Sequence, residues 1–395
     1  KHAELDRVER VADLLTTIDR AICAARAGGS VVAEETYRTL GLSGGQGVDD
    51  VLAELISRNG EMAALPPLFV SLEGGFHGKL VGSIQLTHSP AYRTPFTALA
   101  RPARFVPCNE LGAVGKILDD ERVTLHAPVV ENGVVRLVEH DLPIITAFLL
   151  EPIQGEGGIR EITAEFAGEI AAACDAAGVP VIVDEIQCGM GRTGAFFASS
   201  QVGLRGDYYA LSKSLGGGVA KAAVMLVREK FYRGDFELVH SSTFAKDSFS
   251  CMIALKALEL LEADGGRAYR TAAETGRKLT AMLGAIRDEN PDLVKQVRGR
   301  GLMQGLEFHD QSGSPVASVA EQASAGMLGY AIAGYLLREH SIRIFPTASA
   351  TNTLRVEPSI QLTDAEIAQL HTGLRAVCEM LRDPVKNLVQ GRAEA

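Results

Sequence analysis

At 395 residues the chain is long enough for two cores rather than one. With 46% hydrophobic and 22% charged residues and no apolar run of membrane-spanning length, it reads as a soluble globular enzyme without a membrane partner. A net charge of −10, with acids and bases interspersed, argues against nucleic acid, and six cysteines at irregular spacing point to reduced thiols in a cytoplasmic protein. Residues 1–65 predict helices: Val11, Leu14, Leu15, Ile18 and Ile22 recur at helical spacing, as do Val51, Leu52, Leu55 and Ile56. From residue 66 short apolar runs alternate with helical segments: PLFVSL, PIITAFLLEP, VPVIVDEI, DYYALS and AAVMLVRE. The third run follows an amphipathic helix marked by Ile162, Phe166, Ile170 and Cys174, with Gly178 placed to end it. This order predicts an α/β fold, a mostly parallel sheet with helices on both faces, whose strands present ligands at their carboxyl ends. A long helix is expected over 247–263 with Leu255, Leu258 and Leu261 in its apolar face, followed by a helical segment over 270–288. Strands in VRGRGLMQGLEF, SIRIFP and TLRVEPSIQLT frame a helix near 320–337. The expected organisation is a helical segment over 1–65, a large domain over 66–284 and a smaller α+β domain over 285–395.

The run VIVDEIQCGMGRTG, residues 181–194, ends a buried-looking strand in two carboxylates, a glutamine and glycines. It is followed by SKSLGGG, residues 212–218, where Lys213 also stands at a strand end. Most lysines are solvated surface charges. A buried lysine amine can lose its proton and form a Schiff base with a carbonyl. An aspartate across a pyridine ring keeps the ring nitrogen protonated, so the pair points to pyridoxal 5'-phosphate.

With these motifs the chain resembles the class III, fold-type-I aminotransferases, the group of the acetylornithine, ornithine and 4-aminobutyrate enzymes. The resemblance runs from about 68 to about 363. It rests on FHG at 76–78, EPIQGEGG at 151–158, DEIQCGMGRTG at 184–194, SKSLGGG, STF at 242–244, RGRGLMQGLE at 298–307 and LRVEP at 354–358. It implies transfer of an amino group between an amino acid or amine and a 2-oxo acid or aldehyde. It implies that Lys213 carries the cofactor and moves the proton between Cα and C4′, that Asp184 pairs with the pyridine nitrogen, and that Gln187 bonds the ring oxygen O3′. Phe76 stacks on the ring, with His77 beside it as a packed, hydrogen-bonded neighbour rather than a base. Thr243 reaches the phosphate of a partner subunit, which implies a homodimer or a higher homo-oligomer. Arg355 holds a substrate carboxylate, and Glu156 pairs with Arg355 when none is bound. Arg192 and Glu185 are expected to brace the structure, and Arg298 and Arg300 to pair within the small domain.

Three places depart from the family's pattern. Only 42 residues precede Ser43, and the phosphate-cup motif is matched by SGGQG alone, which assigns Gly44, Gly45 and Gln46 to the phosphate. After Thr243 the usual glycine-glycine-asparagine turn is replaced by Ala245, Lys246 and Asp247. Beside Arg355, Glu357 and Ser359 stand in a segment that is usually apolar and proline-rich. The last two bear on substrate choice. The alternatives are another pyridoxal-phosphate chemistry on an amino acid (decarboxylation, elimination or replacement, or carbon–carbon bond formation), a serine hydrolase on GLSGG at 41–45, and a non-catalytic relative. No clear strand precedes Ser43, and retention of both Lys213 and Asp184 argues for catalysis.

Overall fold

The computed structural model describes residues 2–99, 103–234, 243 and 245–383. Among these residues no helix is long and apolar enough to cross a membrane. A six-stranded sheet forms the centre, in the order Val224–Val227, Tyr208–Leu211, Val181–Asp184, Ile145–Leu150, Leu68–Leu72, Ala103–Val106. All pairings are parallel except the edge strand Val224–Val227. Every residue of Ile145–Leu150 is buried, as a strand covered on both faces requires. One cover is the helix Ala164–Ala176. Thr163 caps it by accepting from the Phe166 N–H at 3.1 Å, and it buries Phe166, Ile170 and Cys174. Full burial of each large side chain contributes about 1.5–3 kcal/mol.

The sheet register positions the chemistry. Asp184 is the last residue of its strand and pairs with Ala210 on the neighbour, so Lys213 follows three residues later at the adjacent carboxyl end. The C-terminal part is a four-stranded antiparallel sheet over 294–300, 303–308, 353–356 and 345–346. Helices Leu328–His340 and Asp364–Arg382 pack with it around Leu306, Ile332, Leu336 and Leu374. Its hairpin turn meets the large sheet's loops closely. Gly301 has φ +56, and a Cβ there would lie 2.6 Å from the Thr193 carbonyl carbon, while the Leu302 N–H bonds the Arg192 carbonyl at 2.9 Å.

Three expectations need correction. The helical segment does not close on itself at residue 65. Helices His2–Gly28 and Val48–Ala63 share one core with the strands Val123–Glu131 and Val134–Leu142, through Ile18, Ile22, Leu52, Leu55 and Leu125. Those strands form a hairpin that the sequence reading passed over. Its signal was Asn132-Gly133 between alternating runs, both residues at positive φ (52° and 77°). The helix expected over 247–263 and the helical segment after it are both present, as one run Ser248–Glu289 that breaks at 263–266, where Asp264, Gly265 and Gly266 all have positive φ. In its first half Leu258 and Leu261 pack inward while Leu255 is 52% exposed. Steps of three residues drift by about 60° each, so Leu255 and Leu261 lie about 120° apart on the helix. The helix near 320–337 is two helices, Ala317–Ser324 and Leu328–His340, parted around Gly326 with φ +68.

Candidate active site

The buried half of the site is built around Asp184. Its Oδ2 lies 2.8 Å from His77 Nδ1, and its Oδ1 accepts the Ile186 N–H at 3.1 Å. Beyond the imidazole, His77 Nε2 is 3.2 Å from Ser71 Oγ, and the His77 backbone N–H donates to Thr87 at 2.9 Å. Burial alone disfavours the imidazolium, but the Asp184 carboxylate, helped by Glu151, outweighs it and raises the His77 pKa. His77 is therefore a positioning group for Asp184.

Glu151 is a second member of this layer that the sequence reading did not single out. Its carboxylate accepts the Phe76 N–H at 2.9 Å and the Gly155 N–H at 3.1 Å, tying FHG to EPIQG. Burial pushes its pKa up to about 7, with His77 opposing, Asp184 adding and the two N–H bonds opposing. The neighbouring Glu185 is fully buried and accepts from Ala198 N, Ser199 N and Cys188 Sγ. It thus closes a loop through backbone amides rather than through a salt bridge. Cys188 lies buried beneath Asp184, with its thiol pKa pushed well up by burial.

The open half is a chain of polar contacts. Lys213 Nζ donates to Gln187 Oε1 at 2.8 Å, and Gln187 Nε2 donates to Glu357 Oε1 at 2.7 Å. Arg355 Nε lies 3.7 Å from Glu357 Oε2, and Arg355 Nη1 bonds Glu156 Oε1 at 2.5 Å. The other Glu156 oxygen accepts the Ala348 N–H at 2.8 Å. Gly155 lies flat against the Gln187 amide, since a Cβ there would sit 2.3 Å from Oε1. Lys213 holds φ +45, sparsely populated for a side-chain-bearing residue. A cavity of about 560 Å³ lies against Arg355 and Glu357, walled by Ile342, Phe345 and Leu362.

The remaining sequence-predicted residues divide. Phe76 sits beside the cluster, pinned by its backbone bond to Glu151 and an edge-on contact with Tyr92 at 5.7 Å between centroids. Thr243 is exposed, and its neighbours Ser242 and Phe244 lie outside the described residues. Gly44, Gly45 and Gln46 have their contacts elsewhere. The helix after them packs on the N-terminal helix and the hairpin, Tyr37 donates to the Gln46 carbonyl, and no hydrogen bond joins them to Lys213 or Asp184 among the described residues. Ser43 follows the short helix Glu34–Thr39 rather than a strand, so GLSGG forms no nucleophile elbow. Arg192 donates to the Pro358 carbonyl at 2.6 Å. Arg298 pairs with Glu307 as expected, but it also reaches the Gly158 carbonyl at 2.6 Å. Arg300 pairs outside the small domain, with Glu161 and Gln201. Its strand end abuts the large sheet's loops, where those partners stand. Asp247 caps the long helix, accepting the Ser250 N–H at 2.8 Å, and Lys246 takes the positive φ (63°) that a glycine would occupy.

The residues present suit a pyridine cofactor. Among the described residues each Asp184 oxygen has one hydrogen-bond partner, which leaves lone pairs for a protonated ring nitrogen. Gln187 is an amide fixed from both ends, and Lys213 is the amine within its reach. A family model, Aminotransferase class-III, matches residues 23–377. The chain belongs to the class-III aminotransferases. Acetylornithine aminotransferase of Methanopyrus kandleri is 36% identical over 245 residues, 61% of this chain and 54% of the relative. Putrescine aminotransferase of Pectobacterium atrosepticum is 30% identical over 305 residues, 76% of this chain and 58% of the relative. The chain thus spans a little over half the length of these curated relatives. Among solved structures, an ornithine aminotransferase from Toxoplasma gondii superposes with a TM-score of 0.65 at 20% identity, covering 93% of this chain and 83% of that one. A Bacillus anthracis aminotransferase gives 0.65 at 21% identity, covering 82% and 72%. These likenesses place the fold with the fold-type-I aminotransferases.

Proposed function

We propose that this class-III aminotransferase moves an amino group between an amino acid or amine and a 2-oxo acid or aldehyde, with pyridoxal 5'-phosphate as cofactor. The observation that carries the reading is the juxtaposition of Lys213 and Asp184 at neighbouring parallel strand ends, with Gln187 bonded to the lysine. The cofactor, when bound, supplies an aldehyde carbon and an electron-withdrawing pyridinium. Lys213 Nζ would hold it and then move the proton from the substrate carbon that bears the amine to the cofactor's aldehyde carbon. Asp184 keeps the ring nitrogen protonated, and His77 and the Ile186 N–H keep Asp184 in place. Gln187 offers a donor to the ring oxygen, and Phe76 covers one face of the ring. Arg355 takes the carboxylate of the oxo acid acceptor when Glu156 swings away. The relatives' names, acetylornithine and putrescine aminotransferase, support donors of the amino-acid and amine class.

The functional unit in this reading is at least a homodimer. Val224, Met225, Leu226, Phe249, Met252 and Leu255 are 43–66% exposed beside the Lys213 loop, an apolar face of the kind that a second copy covers. Thr243, exposed on its own chain, then serves the partner's phosphate. Six free cysteines suit a cytoplasmic setting.

The test is direct. The purified protein, loaded with cofactor, is reduced with borohydride and the modified peptide is mapped. The fixed cofactor is expected on Lys213, and an amine donor should convert the bound aldehyde to pyridoxamine phosphate with an equal amount of oxo product. A different lysine, or no pyridoxamine phosphate with any donor, removes the reading.

A further inference from the structure

The turn that carries Glu156 lies across one face of the four-stranded sheet. In the register of that sheet Arg298 stands opposite Gly305, and Gly305 stands opposite Arg355. Directly opposed residues share a face, so the two arginines stand on one face, two strands apart, with a residue that has no side chain between them. The segment 156–159 fills that gap. Glu156 meets Arg355, and the Gly158 carbonyl accepts from Arg298 Nε at 2.6 Å. Ile159 lies over Gly305, where an added Cβ would sit 3.0 Å from that of Ile159.

Two observations show that this seat is fixed. Ile159 is fully buried at φ +54, a region that a β-branched residue holds only when its surroundings over-determine it. Arg298 has a side chain only 12% exposed and uses its whole fork. Nε holds Gly158, Nη2 donates to Thr353 Oγ1 at 3.2 Å, and Nη1 pairs with Glu307. Thr353 opens the strand that carries Arg355. Arg298 thus ties the turn to that strand, and Glu156 and Arg355 are held in one frame. An ion pair between groups already held in place loses little freedom on forming. A substrate carboxylate that displaces Glu156 works against that frame.

We propose that Arg298 is a positioning residue: by fixing the turn 156–159 on the sheet it holds Glu156 on Arg355, and so sets how readily a substrate carboxylate takes the place of Glu156. The proposal rests on the reading above, in which Arg355 takes a carboxylate when Glu156 leaves. Arg298 itself touches neither substrate nor cofactor in this reading. Glu357, with Arg192 near it and Lys213 one amide away, is common to every variant and cancels in a comparison between them.

Arg298→Lys keeps a positive charge beside Glu307 and loses the fork. Arg298→Met is more severe but leaves Glu307 bonded to Lys295 at 2.8 Å. The cofactor-loaded parent, these two variants, Glu156→Gln and the double variant Glu156→Gln with Arg298→Lys are titrated with 4-aminobutanoate and with 1-aminobutane. The two ligands differ only in the carboxylate, and the cofactor's absorption reports each dissociation constant. In Arg298→Lys, 4-aminobutanoate should bind about three- to tenfold more tightly than in the parent, while 1-aminobutane changes by less than about twofold. Arg298→Met should move the same ratio at least as far, and if it fails to fold, Arg298→Lys decides. Glu156→Gln should also tighten 4-aminobutanoate, and adding Arg298→Lys to it should change nothing more, since Arg298 acts through Glu156. Weaker binding of both ligands, as a general loosening of the fold would give, overturns the proposal. So does a ratio that moves less than about twofold, or a full further effect of Arg298→Lys in the Glu156→Gln background. If the parent and Glu156→Gln show the same ratio of the two constants, the carboxylate role of Arg355 itself falls, and the proposal falls with it.

Discussion

The two walls of the candidate site are built to different standards. On the Asp184 wall, Asp184, Glu185, Glu151, His77 and Ser71 are all buried, and each is hydrogen-bonded to another group of the same chain. On the Lys213 wall, Lys213 is exposed, the strand Val224–Val227 lies open, and the helix behind it turns Phe249, Met252 and Leu255 outward. A buried carboxylate is tolerable only when hydrogen-bonded, and one chain supplies those bonds. An exposed apolar face is tolerable only when something covers it. The contrast says which half of the site a single chain completes, and the open half is where the proposed second copy would sit.

The sharpest break in the comparison is at Lys213. Lys213→Ala leaves the Asp184 wall untouched, so the variant should still bind pyridoxal phosphate, without a covalent link. Single-turnover amino transfer should fall by at least about 10³-fold, toward the upper range of losing a proton-transfer group. A variant that keeps measurable turnover near the parent's would place the reactive amine elsewhere.

The second prediction tests what covers the open wall. Leu255→Glu puts a charge into the apolar face, and a twofold interface feels each change twice. Losing one buried leucine per copy costs about 3–6 kcal/mol. Sedimentation should show dissociation at micromolar concentration, with cofactor affinity falling in parallel. An unchanged dimer would mean that another surface holds the copies together.

A third prediction concerns the closed wall and gives it a sign in pH. Glu151 has its pKa raised from 4.5 to about 7 by burial. Below about 4.5 both folded and unfolded chains hold this proton. Between 4.5 and 7 only the folded chain holds it, so stability falls as pH rises through that window, by up to about 3 kcal/mol. His77, with its pKa raised above 6.5, contributes stability that is present below 6.5 and lost above it. Thermal denaturation of the parent and Glu151→Gln between pH 5 and 6.5 therefore isolates Glu151. The variant should gain on the parent as pH rises, and a constant difference would show that Glu151 ionises normally.

Much of the closed wall was legible in the sequence because local patterns built it. The strand VIVD ends in Asp184, and the run before Lys213 lies beside it in a parallel sheet, so strand-end position alone brought the two together. What escaped was long-range. Glu151 reads as one more residue of EPIQGEGG until its carboxylate is seen on the Phe76 amide, 75 residues away. The hairpin 123–142 joins helices that precede it by some sixty residues or more, so a boundary drawn along the chain at residue 65 cut a core that is continuous in space. The phosphate assignment to Gly44, Gly45 and Gln46 rests on a motif alone, and the helix that follows them packs in the same hairpin core. Arg300 was expected to find its partner within its own domain, yet its strand end lies at the junction and its partners, Glu161 and Gln201, belong to the other one.

The smallest expected effect separates charge from geometry at the edge of the open wall. Asp247 departs from the family's asparagine, and by sequence it brings a new charge beside the phosphate region. In the structure its side chain accepts the Ser250 N–H at 2.8 Å, and that bond holds its carboxyl below the usual carboxylate range. Asparagine caps helices about as well as aspartate, because either side-chain oxygen accepts the same N–H. Asp247→Asn should therefore leave both melting temperature and amino transfer unchanged, while Asp247→Ala should lower the melting temperature by about 1–3 °C. If instead Asp247→Asn changes cofactor affinity or donor preference as much as Asp247→Ala does, the charge itself matters. The start of this helix would then belong to the site rather than to its frame.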